Sequence, residues 1–480
     1  MRYPTQLGHR RRRWSWPFLV CVCLFVCGVP SNGFGQQRRL LASLGSPVAA
    51  NTAPLIRGSG AEKSLESELV SLALQANPNI RRFQALIRAA YEKVPQVRSL
   101  PDPTVGLNVF VHPIETASGS QRAVLTIAQR FPWFGKLNAM GKQAALRASA
   151  LEQSLAREVL KVRAQVRSSL YDLYEIEQQV RINKVNQKLL KQLTKVALAR
   201  VRVGRAGQGD VLRASLELSQ LKADLENLKQ QRTTSQARLN ELLNRPPSTR
   251  IAVPNELYPT LAESWNYESL RQLAWAHQPA VIAAKLKQDA EHLGIRIAEL
   301  EQIPDLTLGA GTFFTEDNRP PTNVVDVGQN PWSISLSINI PLYRERYRAM
   351  QREARNRFHA ARWDFDVSMR MYERQITRAL ADVTSARQVV RYFDESILPQ
   401  ARQTLTTNTE AYQLGKVEFD RVIQDFQNLI RAEVGYHNSL ARYATAIAQL
   451  EQFVGVPLHS MAPPRVSQGK RNNGNIPQRK

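Results

Sequence analysis

Residues able to do chemistry are sparse along this 480-residue chain, and their spacing argues against a catalyst. The seven histidines (His9, His112, His277, His292, His359, His437 and His459) include no His-x-x-x-His pair and no cysteine neighbour, so no zinc-type ligand set is legible. Met369 and Met371 stand two residues apart, which on a helix turns them to different faces, as packing residues rather than a soft-metal relay. There is no phosphate-cradling glycine loop and no nucleophile elbow. Carboxylates are interleaved with Lys and Arg, the pattern of solvated helix faces. The sequence therefore predicts no enzyme, no cofactor and no metal site.

The elements around these residues are more informative. The composition, 43% hydrophobic and 22% charged, is that of a folded chain. No apolar run reaches the roughly 18–20 residues of a membrane-crossing helix. Residues 1–35 have the order of a secretory signal peptide: Arg10 to Arg13, an apolar stretch from Trp14 to Val29, then Gly33 and Gly35. Cleavage after Gly35 removes all three cysteines (Cys21, Cys23, Cys27). A lipid anchor at Cys27 is the lesser reading, because Val26 is bulky where a small residue is needed. Residues 36–62 read as a flexible segment and 459–480 as a disordered basic tail. The formal charge of +24 falls accordingly: five arginines in 1–35 and five Lys/Arg in 461–480, with no acid in either stretch, leave +14 for residues 36–460. That charge is spread along helices and predicts no nucleic-acid partner.

The body of the chain is written twice. Leu72-Ala73-Leu74-Gln75-Ala76-Asn77-Pro78 returns as Leu273-Ala274-Trp275-Ala276-His277-Gln278-Pro279. Leu100-Pro101-Asp102 returns as Ile303-Pro304-Asp305, Phe131-Pro132-Trp133-Phe134 as Ile340-Pro341-Leu342-Tyr343, and Val203-Gly204-Arg205 as Leu414-Gly415-Lys416. These matches predict two structural repeats, 63–247 and 264–458, joined by a linker at 248–263. Each repeat is expected to hold a helix of about 30 residues (Ser64–Leu100 and Ser269–Ile303), a strand pair (104–131 and 306–340) and a long helical hairpin. Neither Gly nor Pro interrupts 142–203 or 342–398, and 62 helical residues would span roughly 93 Å. Helices of that length belong to coiled coils and tubes. Pro399 and Gly415 punctuate the second copy.

The strands alternate strictly. Val105, Leu107, Val109 and Val111 share one face with Gly106 and Asn108 on the other, and Ser333 to Ile340 switches between serine or asparagine and isoleucine or leucine. Phe131, Trp133, Trp332 and Tyr343 flank these runs as interfacial aromatics flank a transmembrane barrel. Four strands cannot enclose a lumen, since small barrels need about eight. Several chains would have to contribute.

With these motifs in order, the sequence resembles the TolC-like outer-membrane efflux factors over about residues 63–458. The resemblance rests on Leu74–Pro78, Leu100–Pro103, Phe131-Pro132-Trp133-Phe134-Gly135-Lys136 and Val203-Gly204-x-x-Gly207-x-x-Asp210-Val211-Leu212, and is nearest in look to the heavy-metal branch. It implies a mainly α fold with β: duplicated coiled-coil hairpins forming a trimeric α-barrel tunnel, with four strands per protomer in a twelve-stranded outer-membrane barrel. It implies an exit duct in outer-membrane lipid, working with a periplasmic adaptor and an inner-membrane pump of the resistance-nodulation-division type. Adaptor docking is implied at Val203, Gly204, Arg205, Leu414, Gly415 and Lys416. An acidic tunnel entrance is implied at Asp210, Asp420 and Asp425, with Arg421 where a further carboxylate is expected. Asp210 alone could simply cap its helix. The competing expectation is a secreted or periplasmic structural coiled-coil or adaptor protein without a channel.

Overall fold

The computed structural model describes residues 65–257, 265–318 and 326–458. The leader, the 36–62 segment and the basic tail lie outside the described residues. One set of elements occurs twice. The first half contains α1 (Leu65–Ala76), α2 (Pro78–Arg98), β1 (Thr104–Thr116), β2 (Gly119–Phe131), α3 (Lys136–Arg202) and α4 (Gln208–Leu242). The second contains α5 (Tyr267–His277), α6 (Pro279–Leu300), β3 (Leu306–Glu316), β4 (Trp332–Ile338), α7 (Arg344–Tyr392), α8 (Leu398–Gln413) and α9 (Phe419–Val454).

The opening helix expected in each repeat is two helices. The break falls before Pro78 and Pro279, because a residue preceding proline is held out of the helical region: ψ is 123° at Asn77 and 113° at Gln278. The proline then starts the next helix, where its missing N–H is harmless. Both residues at the break also close the far end of their repeat. Asn77 Nδ2 donates to the Leu242 carbonyl at the end of α4, and Gln278 Nε2 to those of Gln452 and Phe453 at the end of α9. The breaker-free stretch of the second copy also differs from expectation. A π-turn at Phe393–Ile397 separates α7 from α8, and the helical path continues through Pro399. Phe393 packs there onto Gly435 of α9, where any Cβ would lie 2.5 Å from the ring.

Helix α3, with 67 residues, is roughly 100 Å long. Lateral packing holds it. On the strand side α2, α3, α6 and α7 pack in that order; toward the glycine turns the order is α4, α3, α9, then α7 and α8. The seams are leucine-rich: Leu190, Leu193, Leu221, Leu405, Phe419 and Phe426 interlock across four helices. The wall leaves α2 and α4 free on one side, α7 and α8 on the other.

The strands make one antiparallel sheet in the order β1-β2-β3-β4. Strand β1 runs on to Thr116 past a register shift between Val109 and Ile114, and β4 stops at Ile338. The register aligns Val105, Ile127, Ala310 and Ile334 in one row and Gly106, Thr126, Gly311 and Ser333 in the next. One face is thus apolar and the other built mainly of small or hydroxylated residues, with Val124 and Phe313 paired on it. The apolar face is bare: Val105 is 69% exposed and Val111 91%.

Candidate functional site

Three places carry the geometry on which function can rest: the two glycine turns, the strand-to-helix junction, and the apolar sheet face.

Both turns use the same device. Gly204 and Gly415 adopt φ of 72° and 77°, conformations that side-chain-bearing residues resist. The N–H of Arg205 reaches back to the Arg200 carbonyl and that of Lys416 to the Ala411 carbonyl, each 2.9 Å, satisfying helix-end carbonyls that would otherwise be orphaned. Val203 and Leu414, the last residues before each glycine, stand exposed at the end of the molecule.

The hairpins are fastened to one another beside these turns. Tyr412 donates to Asp210 Oδ2 at 3.0 Å, Arg200 donates to the Tyr412 carbonyl, and its guanidinium carbon lies 4.3 Å from the Tyr412 ring centre. Arg200 also donates to the Arg205 carbonyl at 3.1 Å, so one side chain spans both turns. Burial, followed by the hydrogen bond to Asp210, pushes the Tyr412 hydroxyl up to about 12. It is therefore a neutral donor throughout the physiological range. Asp420 is ion-paired with Arg213 of α4, and Gln427 donates to Glu217 at 2.9 Å.

Asp210 and Asp420 therefore lie at the same end of the molecule, each partnered within the chain. Asp425 is only 3% exposed; it accepts from Asn408 at 2.5 Å and lies 3.7 Å from Arg421 Nε. It offers no open carboxylate in one chain, whereas Arg421 is exposed. Sequence reasoning missed Arg200, Tyr412 and Arg213. Only the closeness of Arg200 and Tyr412 to the glycine turns could have drawn attention to them.

The junction centres on Asp305, buried just before β3. It accepts from Arg130 Nε at 3.1 Å and from the Trp133 N–H at 3.0 Å, with Lys136 Nζ at 3.8 Å, and its own N–H donates to Asn339. Lys136 pairs in turn with Glu301 at 2.8 Å. Burying Lys136 and Asp305 is tolerable because each has charged or polar partners. The conspicuous Phe131–Lys136 motif thus includes part of a clamp joining both repeats where strands become helices. Among the aromatics, Phe131, Trp133 and Tyr343 cluster at this helix-proximal end, while Trp332 lies at the other end of β4, level with Thr312.

The sequence profile of the outer membrane efflux protein family matches residues 69–245 and again 270–456, together well over half of the chain. The chain belongs to that family. Family relatives include the outer membrane protein TolC of Vibrio cholerae serotype O1, 21% identical over 402 residues (81% of this chain, 90% of the relative). The cobalt-zinc-cadmium resistance protein CzcC of Cupriavidus metallidurans is also 21% identical, over 400 residues (82% and 90%). The solved structure of the outer membrane protein VceC from Vibrio cholerae superposes with a TM-score of 0.67 at 18% identity, covering 82% of this chain and 96% of that one. At that identity the structural likeness speaks for the fold, a TolC-family arrangement of long helices and a small sheet. Family membership makes this an outer-membrane efflux protein. No described helix is long and apolar enough to cross a membrane.

Proposed function

We propose that three copies assemble into the exit duct of a tripartite efflux system, conducting substrates passively from a periplasmic adaptor and inner-membrane pump to the exterior. One observation carries this reading: a four-stranded sheet with a bare apolar face continues into a helical wall, and sheet and wall both end in unpaired edges. Four strands cannot close, whereas three copies supply twelve, enough for a lumen. Strands β1 and β4 run antiparallel, so β4 of one copy can pair with β1 of the next. The edge helices carry exposed apolar side chains, Trp363 and Val367 on α7 and Leu86 on α2, that a second copy would cover.

The alternation of lipid-facing and lumen-facing residues is that of a barrel strand. From Leu306 to Thr312, opposite Trp332, the strand rises roughly 20 Å, comparable with an apolar band of about 25 Å. Phe131, Trp133 and Tyr343 would mark the periplasmic interface and Trp332 the outer one. The glycine turns, with Val203 and Leu414 exposed, would be the adaptor-docking tips, and Asp210 and Asp420, repeated by threefold symmetry, an acidic entrance favouring cations. The Tyr412–Asp210 and Arg213–Asp420 contacts hold the hairpins together there. The similarity to CzcC, named for cobalt, zinc and cadmium resistance, supports heavy-metal cations as one substrate class, with drugs as the other.

Membrane fractionation followed by heat-modifiable electrophoresis tests the reading. A membrane-bound band that collapses to about one third of its apparent mass on boiling is expected. A soluble monomer would end the channel proposal and favour a coiled-coil or adaptor protein.

A further inference from the structure

The first turns of α7 hold a concentration of charge that the exit-duct reading does not use. Residues 344–365 carry seven arginines against Glu345, Glu353 and Asp364. Among the described residues Arg352 is paired with Glu345 and Arg357 with Glu353, while Arg344, Arg355 and Arg362 have no ion-pair partner. Arginine at a helix start opposes the helix dipole, so this placement does not serve the helix itself.

Arg348, Arg355 and Arg362 recur every seven residues, the coiled-coil period, and therefore form one row. Each directly follows a residue of the half-buried row Tyr347, Ala354 and Ala361, which borders Phe358, whose ring centre lies 5.3 Å from that of His292 on α6. The direction in which the row points follows from handedness. Phe313, on the hydroxylated face of β3, sends its N–H to the Pro331 carbonyl at 2.9 Å. For L-residues this puts β4 to the left of β3 when the apolar face is viewed with the helices below. Helix α7 then descends the left edge with α6 on its right. A right-handed helix, followed downward, turns from its α6 side toward the apolar-face side, and one residue is about 100° of that turn. The arginine row thus faces the same side as the bare apolar sheet, directly beneath it. Lower down the same row becomes Ile376 and Val383, buried with Leu270 and Ala274 of α5.

At the upper end of the row the nearest acid is Glu345, which is committed to Arg352 and shared with Arg348, so one carboxylate faces Arg344, Arg348 and Arg352. Residues 36–64 hold Arg38, Arg39, Arg57 and Lys63 against Glu62, and 459–480 hold five Lys/Arg with no acid. Helix α2, which a neighbouring copy would bring to this edge, has five Lys/Arg against Glu92. We propose that Arg344 and Arg348 bind anionic phospholipid headgroups of the leaflet at the helix-proximal end of the barrel. This inference rests on the membrane-barrel reading. The level fits: Tyr343, 79% exposed and ending the apolar run Ile338, Ile340, Leu342, has the amphipathic character of a headgroup-depth anchor. Arg344 is the next residue, and Arg348 lies one turn, about 6 Å, below it. A headgroup layer is roughly 5–8 Å deep. Arg355 and Arg362, roughly 16 and 27 Å below Arg344, lie beyond it and beyond most of the screened membrane field.

That depth dependence provides the test. The assembled protein is placed in phosphatidylcholine vesicles containing brominated phosphatidylglycerol or brominated phosphatidylcholine, and relative lipid affinity is read from quenching of its tryptophans. The wild type is expected to prefer phosphatidylglycerol by about five-fold for each headgroup-level arginine, about 1 kcal/mol apiece near a charged surface. Arg344→Gln with Arg348→Gln should abolish the preference while the heat-modifiable oligomer persists. Arg355→Gln with Arg362→Gln should retain it. Equal quenching by both lipids in the wild type, or equal loss in both double variants, overturns the proposal. Equal quenching together with polyglutamate binding that needs Arg355 and Arg362 would assign the row to an acidic protein instead. Failure of the wild type to float with any vesicle would overturn the membrane-barrel reading itself.

Discussion

The Asp210–Tyr412 hydrogen bond shows how a residue visible in sequence acquires meaning only from its partner. An aspartate three residues after Gly207 reads as a helix-start acid, and it does sit in the first turn of α4; the structure adds a donor 202 positions away. Long-range partners such as Tyr412 and Arg213 leave no trace in local spacing, which is why the carboxylates were legible and their fastenings were not. If Asp210 and Asp420 form the entrance, Asp210→Ala with Asp420→Ala should weaken divalent-cation block of reconstituted channels several-fold; unchanged block would remove both residues from the entrance. A second residue-scale expectation concerns His437, whose Nδ1 lies 2.9 Å from the Tyr174 hydroxyl. Burial, then the charge of Arg181, holds its pKa below the ordinary imidazole value of 6.5. A histidine depressed in the folded state contributes its stability above that ordinary value and loses it as pH falls through the depressed one. Burial raises Asp172 and Glu175 nearby, and those carboxylates titrate with the opposite sign. The readout is therefore the difference between proteins: between pH 7.5 and 5 the wild type should lose more Tm than His437→Asn. Identical losses would clear His437 of a role.

At the scale of elements, alternation and breaker-free runs were readable because each follows from local geometry: period two for strands, absence of Gly and Pro for α3. The splitting of the opening helices was less readable. Proline was present, but proline at a helix start and proline within a helix look alike until Asn77 and Gln278 are seen to cap other helices; Pro95 does lie inside α2. The π-turn at Phe393 was not readable at all: the contact that marks it, Phe393 against Gly435, joins residues 42 positions apart. The glycine turns give a prediction proper to this scale. A Cβ added at Gly204 would meet no atom within 4 Å, so Gly204→Ala carries only the left-handed backbone cost, about 1 kcal/mol. Asn should fit better, because Asn244 (φ 53°) already ends α4 where Gly455 (φ 92°) ends α9. Gly455→Asn should cost more than Gly204→Asn, since a Cβ at 455 would lie 2.9 Å from the His277 carbonyl. Urea unfolding of the wild type and the three variants orders these costs; Gly204→Asn proving the worse of the asparagine variants would contradict the account.

For the molecule as a whole, the decisive feature is that two of its edges remain unused. An unpaired edge strand is a template for pairing and is normally blunted by charge, proline or cover. Here β4, with the sequence Trp-Ser-Ile-Ser-Leu-Ser-Ile, has none of these and no charged residue. Its apolar side chains lie exposed beside a backbone ready to pair, which points to a specific neighbour rather than solvent. Contact between β4 of one copy and β1 of the next joins two different surfaces, and such a contact makes either a closed ring or an open filament. Which one forms is set by the angle between copies, and disulfide trapping can read it. Residues 36–480 contain no cysteine, so introduced pairs are unambiguous. With Leu107→Cys on β1 and single cysteines scanned from Ser333 to Ser337 on β4, oxidation in membranes should give dimer and trimer bands and nothing larger. A ladder extending past three would mean that the copies do not close as a trimer. The absence of any cross-link across the scan would mean that the two strands never meet, and the barrel would have to be rebuilt from another edge.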